Sequence, residues 1–309
     1  REFENPTASH FWRQAPEAAG RATQPSACQR AENQTPCEIQ PMNAFETFIL
    51  GVVQGLTEFL PISSSGHLVL FQNLFGFTEP ELLLDAALHF GTLVAVCVHF
   101  RSDLKQMALD TLNTLAHPGD LRPKAQKPHF ALFLAVLAGS VPTAAIGILF
   151  RKPLTGLFGS VDAVGIALLA TGGIVALTRF APKERGNRDR VGFLVAFAVG
   201  AAQGLAIVPG ISRSGATIAC GLLLGLERQL AGRFSFLLSI PAISGALALE
   251  LTSPDFQRIG FLPLIIGFIF SGVTGLLALR LLMGMIRKGH LYYFAPYCWA
   301  LGLFVLTCL

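Results

Sequence analysis

GVVQGLTEFLPISSSGHLVL, residues 51–70, and GAAQGLAIVPGISRSGATIA, residues 200–219, are two versions of one pattern. Laid over each other without a gap they agree at eight of twenty positions: Gly51, Gln54, Gly55, Leu56, Ile62, Ser63, Ser65 and Gly66 match Gly200, Gln203, Gly204, Leu205, Ile211, Ser212, Ser214 and Gly215. Agreement at that density between two apolar segments marks an internal repeat. Each copy sits in an apolar block, 44–76 or 191–226, that a Pro, Gly and Ser cluster interrupts at its middle. Such a block predicts two short half-helices joined by a break.

Outward from the two blocks the chain is strongly apolar. Of 309 residues 52% are hydrophobic and only 14% charged, with a mean hydropathy of +0.56. Soluble proteins carry about a quarter charged residues, so the composition excludes an ordinary soluble or disordered chain and points to the bilayer. Six further stretches, near 85–101, 129–150, 160–179, 230–251, 260–283 and 290–309, are long enough to cross the membrane as helices. The expected fold is an all-α integral membrane protein with six transmembrane helices and two re-entrant broken pairs. Residues 1–41 are polar, rich in Pro, Gln and Ala, and hold nine of the charges. They lack the apolar core of a signal peptide, are expected to be disordered, and leave a non-native origin open. The membrane-embedded domain is expected over 42–309, with one repeat at about 44–179 and the other at about 191–309.

Three spans separate the copies. If each broken pair returns to its own face, the second copy enters from the opposite side, which makes the repeat inverted. The charges fit this scheme. Loops 101–128, 179–190, 226–233 and 285–290 share one face and carry fourteen Lys and Arg, against Arg151, Lys152 and Arg258 on the other. By the positive-inside bias the first face is cytoplasmic and the mouth of the first broken pair opens outward. The competing arrangement has both blocks crossing fully, giving eight spans.

Irregular backbone at membrane depth survives only where protein or a wet cavity satisfies it, so the breaks are the expected site builders. Glu58 lies in the first block and Arg213 at the matching break of the second. A lone charge at that depth costs about 2.5–3.5 kcal/mol, so each needs a partner, and inverted symmetry brings the two breaks together. Gln54 and Glu58 stand one turn apart. Ser63, Ser64 and Ser65 begin one half-helix, with Ser212, Ser214 and Thr217 around Arg213 in the other. Hydroxyls and free N–H groups at two helix starts, with a guanidinium, suit phosphate. His67, within one turn of Ser64, resembles a base beside a nucleophile. Taken singly, the serines read as helix caps. His89 and His99 read as satisfied polar residues, and Asp85, Asp162, Glu250 and Arg280 as groups reaching water near span ends. The scattered cysteines, Cys28, Cys37, Cys97, Cys220, Cys298 and Cys308, have no metal or disulfide spacing and read as small hydrophobes. A net charge of +4 without a basic, aromatic-interleaved run argues against a nucleic-acid partner.

The run from Gln54 through Glu58 and Pro61 to His67 closely resembles the first signature of the undecaprenyl-pyrophosphate phosphatases, the bacitracin-resistance family. The run Pro209 to Thr217 resembles the second, and the likeness extends over 42–309. It implies a multi-pass enzyme of the bacterial inner membrane, and the charge bias of the loops puts its site on the periplasmic side. The implied reaction converts a polyprenyl pyrophosphate lipid to the monophosphate carrier used in cell-wall assembly. It further implies a divalent cation, Mg²⁺ or Ca²⁺, bound largely through substrate phosphates. By position, Glu58 is similar to the family's essential acid and metal ligand, Ser64 to its nucleophile, His67 to its proton-transfer residue and Arg213 to its pyrophosphate clamp. Ser63, Ser65, Ser212, Ser214 and Thr217 match supporting phosphate contacts. Gln54 stands where the family has Glu or Gln, as a second candidate ligand. Attack by water, with Glu58 or His67 as base, is the competing mechanism. A transporter or flippase for a phosphorylated polyprenyl lipid is the competing function, since the same repeat architecture builds transporters. A homodimer is left open.

Overall fold

The structure is a computed structural model that describes residues 43–76, 82–117, 128–150, 160–182, 190–250 and 261–308. The expectations for the 1–41 segment and for the Glu250 side chain lie outside the described residues. Asn43 opens the first helix, α1 (Ala44–Phe59). Its side chain accepts from the Phe45 and Glu46 backbone N–H groups, and Glu46 reaches back to the Asn43 N–H. This reciprocal cap fixes where the first apolar block begins. After the break at Pro61 comes α2 (Ser64–Leu74). Then follow α3 (Leu82–His99), α4 (Arg101–Ala116), α5 (Pro128–Leu149) and α6 (Val161–Leu177), the last tightening into a 3₁₀ turn at Thr178–Phe180. The second half runs α7 (Phe193–Leu205), α8 (Arg213–Leu223), α9 (Arg228–Glu250), α10 (Phe261–Lys288), a 3₁₀ turn at Leu291–Phe294 and α11 (Ala295–Cys308).

Both blocks are broken as expected, at residues 60–63 and 206–212. Five segments are each long and apolar enough to cross a membrane: 128–149, 161–180, 228–249, 261–288 and 291–308. The expected span near 85–101 differs. Leu83–His99 reaches the criterion only together with Arg101–Ala116, from which it is bent by 72°. The stretch expected as the 101–128 loop thus begins as the helix α4. Its charged residues lower its hydropathy below that of a span, while Leu104 and Met107 turn inward at helical spacing. Asp103 of α4 forms an ion pair with Arg233 of α9, and Asp110 lies 3.6 Å from His129 of α5.

Helices of one half pack on helices of the other. α10 runs along both α1 and α3, α5 along α7, and α6 along α11. Small residues make these approaches possible. A Cβ on Gly51 would come 2.9 Å from the Gly267 carbonyl oxygen, and one on Gly200 would come 2.0 Å from that of Gly139. The core gathers Phe59, Phe234, Phe236, Leu238 and Leu279, with a smaller cluster of Leu50, Leu68, Leu84 and Leu88. Outward, Leu149, Leu194 and Phe261 are mostly exposed. An apolar exterior around a packed core is what a bilayer-embedded bundle requires.

Candidate active site

Each second half-helix begins on a serine cap. Ser63 Oγ accepts from the Gly66 N–H at 3.3 Å, and Ser212 Oγ accepts from the Gly215 N–H at 3.1 Å. These are matching positions of the two copies, and so are the hydroxyl pairs Ser63–Ser65 (3.4 Å) and Ser212–Ser214 (3.1 Å). The breaks meet face to face. A Cβ on Gly66 would stand 3.3 Å from Gly210 Cα, and one on Gly215 would stand 3.2 Å from Pro61 Cβ. Ser214 donates to the Leu60 carbonyl at 3.3 Å. Thr171 of α6 donates to the Gly210 carbonyl and accepts from the Ser212 N–H, while Cys298 of α11 donates to the Pro61 carbonyl. Gly210 has φ +93°, a left-handed conformation that suits glycine. Ser63, with φ +68°, holds a strained backbone at the other break, of the kind that persists where surrounding contacts enforce it.

At this junction Arg213 donates to Glu58 Oε1, joining residues 155 positions apart. The Glu58 side chain is 4% exposed and that of Arg213 19%, so the carboxylate is sheltered while the guanidinium stays partly accessible. Glu58 Oε2 accepts from Ser64 Oγ at 2.6 Å and from Gln54 Nε2 at 2.9 Å. Taking a carboxylate out of water is costly unless hydrogen bonds and a counter-charge compensate, and these three donors do so.

The expected pairing of His67 with Ser64 is not what holds that histidine. His67 Nδ1 lies 2.7 Å from the Ser63 carbonyl and Nε2 lies 2.8 Å from the Tyr297 hydroxyl, with the two rings stacked. The carbonyl only accepts, so Nδ1 carries the proton and Nε2 accepts from the phenol. The group that holds the Ser64 hydroxyl is Glu58. Thr217 is fully buried, donates to the Arg213 carbonyl at 2.8 Å and pairs with Ser235 at 2.5 Å. It braces Arg213 from behind, and the hydroxyls of Ser63 and Ser212 are taken up by caps.

Two residues beside the site escaped the sequence reading. His89 of α3, read as a solitary polar residue, has Nε2 3.7 Å from Glu58 Oε2. Its one available signal was its place one turn beyond Asp85 within an expected span. Tyr297 gave none, because its partner is 230 residues away. Asp85 accepts from the buried Gln72 at 2.8 Å, so it is engaged within the bundle as well as placed near a span end. Asp162 and Arg280 are exposed.

No group of three or more His, Cys, Asp or Glu residues that could hold a metal occurs among the described residues. One observation bears on whether the residues fit a cation, although Gln203 Oε1, at the matching position of the second copy, is orphaned likewise. Gln54 Oε1 is fully buried and has no hydrogen-bond partner, although its own amide nitrogen is bonded to Glu58. A carboxylate and an orphaned amide oxygen are hard donors that fit Mg²⁺ or Ca²⁺, provided most of the coordination comes from elsewhere.

The family model described as bacitracin resistance protein BacA matches residues 47–304. Among curated relatives, a protein of Desulfosudis oleivorans is 48% identical over 269 residues, covering 84% of this chain and 97% of the relative. One of Desulforapulum autotrophicum is 44% identical over 85% and 97% of the two chains, and one of Carboxydothermus hydrogenoformans is 43% identical over 86% and 97%. All three are named undecaprenyl-diphosphatase.

Proposed function

Because the chain belongs to the bacitracin resistance protein BacA family, we propose that it hydrolyses undecaprenyl pyrophosphate to undecaprenyl phosphate and inorganic phosphate. That reaction recycles the lipid carrier of cell-wall synthesis and underlies resistance to bacitracin. The observation that carries the reading is the junction of the two breaks, where Ser64 Oγ lies 2.6 Å from the same carboxylate that Arg213 grips.

Arg213 presents its accessible guanidinium to the terminal phosphoryl group and stabilises the charge that develops there. Ser64 Oγ is the attacking atom: as its bond to the terminal phosphorus forms, the bridging P–O bond breaks and the monophosphate lipid leaves, the Ser64 proton passes to Glu58 Oε2, and water then hydrolyses the phosphoserine to release inorganic phosphate. The N-terminal turns of α2 and α8 are capped by Ser63 and Ser212, and the N–H groups these caps leave free are proposed to bind the phosphates. Ser65 and Ser214 stand beside these caps as further phosphate contacts. His67, held by Ser63 and Tyr297, fixes the first turn of α2. Glu58 and Gln54 Oε1 would hold a divalent cation, which when bound supplies positive charge to the pyrophosphate oxygens. A flippase would need the clamp but not the Ser64–Glu58 contact, and this favours hydrolysis.

The two halves are proposed to be an inverted repeat. Matching residues play matching parts in both: Gly51 approaches α10 as Gly200 approaches α5, and Ser63 caps α2 as Ser212 caps α8. The proposed setting is the bacterial inner membrane, with six spans and a periplasmic mouth, supported by the charge bias of the loops. Phosphate release by the purified protein in detergent, without any gradient, on a long-chain polyprenyl pyrophosphate is the test. Glu58→Ala and Arg213→Ala are expected to lose at least about 10²-fold in kcat/KM. Activity unchanged in both would refute the proposal.

A further inference from the structure

We propose that α4 is an interfacial helix that binds the anionic lipid of the leaflet at which α3 ends. Leu112 and Leu115 enter the acyl region there, and Arg101 and Lys105 meet headgroup phosphates. The inference rests on α3 crossing the bilayer and is independent of the hydrolase reading. A spanning helix tilts by about 20° from the bilayer normal. The 72° bend between Leu83–His99 and Arg101–Ala116 therefore lays α4 close to the membrane plane. Its charges, Arg101, Asp103, Lys105 and Asp110, keep it from entering as a span.

At about 100° per residue, α4 divides into three strips roughly 120° apart. The first faces the bundle: Met107 is buried there, and Asp103 and Asp110 are turned to Arg233 and His129. Both acids of α4 are thus engaged with the protein. The second strip carries the exposed amides of Gln106 and Asn113, which suit water. The third runs Arg101, Lys105, Ala108, Leu112 and Leu115 in steps of four and three, all exposed, with Leu112 at 63% and Leu115 at 70%. Apolar and basic residues beside a polar strip are the pattern of a helix lying at the headgroup boundary. Arg101 sits at the bend, where its Nη1 donates to the Val98 carbonyl at 3.1 Å. Val98 is itself exposed, so the strip continues the apolar exterior of α3. A guanidinium has five N–H donors, which leaves Arg101 others for a phosphate. A second copy fits the strip poorly. A parallel pair would set these cations against each other, and an antiparallel pair would set them against leucines. An anionic lipid neutralises both cations and covers the leucines as well.

The full-length protein, with cysteines introduced one at a time into a cysteine-free background, is spin-labelled and reconstituted in vesicles of phosphatidylglycerol and phosphatidylethanolamine. Collision rates are read with oxygen, which concentrates in lipid, and with a nickel chelate present in the water on both sides. Labels at Leu112→Cys and Leu115→Cys are expected to favour oxygen, and labels at Gln106→Cys and Asn113→Cys the chelate. Replacing phosphatidylglycerol by phosphatidylcholine is expected to shift the label at 112 toward water. Lys105→Gln, which leaves the Arg101 contact with Val98 in place, is expected to lessen that shift, and Lys105→Glu to abolish it. Chelate access at 112 and 115 equal to that at 113 overturns the proposal. So does a position 112 shielded from both reagents, which marks a second copy or another protein segment on the strip. A depth that ignores lipid charge overturns it as well.

Discussion

Glu58 divides its two oxygens between tasks, with Arg213 on one and Ser64 and Gln54 on the other. Removing Glu58 leaves a partly buried guanidinium without its counter-charge, so Glu58→Ala is expected to lower stability by about 1–3 kcal/mol as well as activity. Ser64→Ala isolates the chemistry, because it keeps the ion pair. It is expected to reduce kcat by at least about 10²-fold with little change in melting temperature, and no phosphoryl group should be trapped on the variant. Full activity in Ser64→Ala would hand the attack to water. Tyr297→Phe keeps the ring against His67 and deletes one neutral hydrogen bond, which is about 1 kcal/mol and so roughly a fivefold effect on kcat. A loss beyond about 10²-fold would place the phenol in the chemistry itself. Glu58, Ser64 and Arg213 were legible in the sequence because charges and hydroxyls interrupt apolar text there. The partner of His67 was not, since side-chain direction on α11 depends on how α11 leans on α6.

At the scale of helices, close approach decides what is tolerated. A Cβ on Gly200 would stand 2.0 Å from the Gly139 carbonyl oxygen, whereas one on Gly173 would meet nothing within 4 Å. Gly200→Ala is therefore expected to cost about 1–3 kcal/mol through overpacking, and Gly173→Ala to be neutral or slightly stabilising. Thermal unfolding in one detergent compares the pair, and equal melting temperatures would contradict the close packing of α5 on α7. The breaks and the long apolar helices were readable because Pro, Gly and Ser punctuate a strong hydropathy signal. α4 was not, because its apolar residues recur at helical spacing among charges and its mean hydropathy resembles that of a loop. Only the packing of Leu104 and Met107 against the bundle reveals which face it uses.

Across the whole molecule, the copies diverge where the chemistry lies. Glu58 faces Ile207 in the alignment, Ser64 faces Arg213 and His67 faces Ala216, so each half supplies what the other lacks. The proposed orientation puts Lys288, exposed at the end of α10, in the cytoplasm. A cysteine introduced by Lys288→Cys in a background free of other cysteines should resist an impermeant maleimide added to intact cells and react after lysis. Labelling in intact cells would invert the topology. Everything depends on the two breaks meeting, and a covalent bond across them reads this directly. Pro61 Cβ and a Cβ placed on Gly215 are 3.2 Å apart, near disulfide range. Pro61→Cys combined with Gly215→Cys, in the same cysteine-free background, should oxidise to a disulfide between positions 61 and 215, identified in the digested protein by mass spectrometry. Two thiols that stay freely alkylatable under oxidation would show that the acid and the guanidinium belong to separate places.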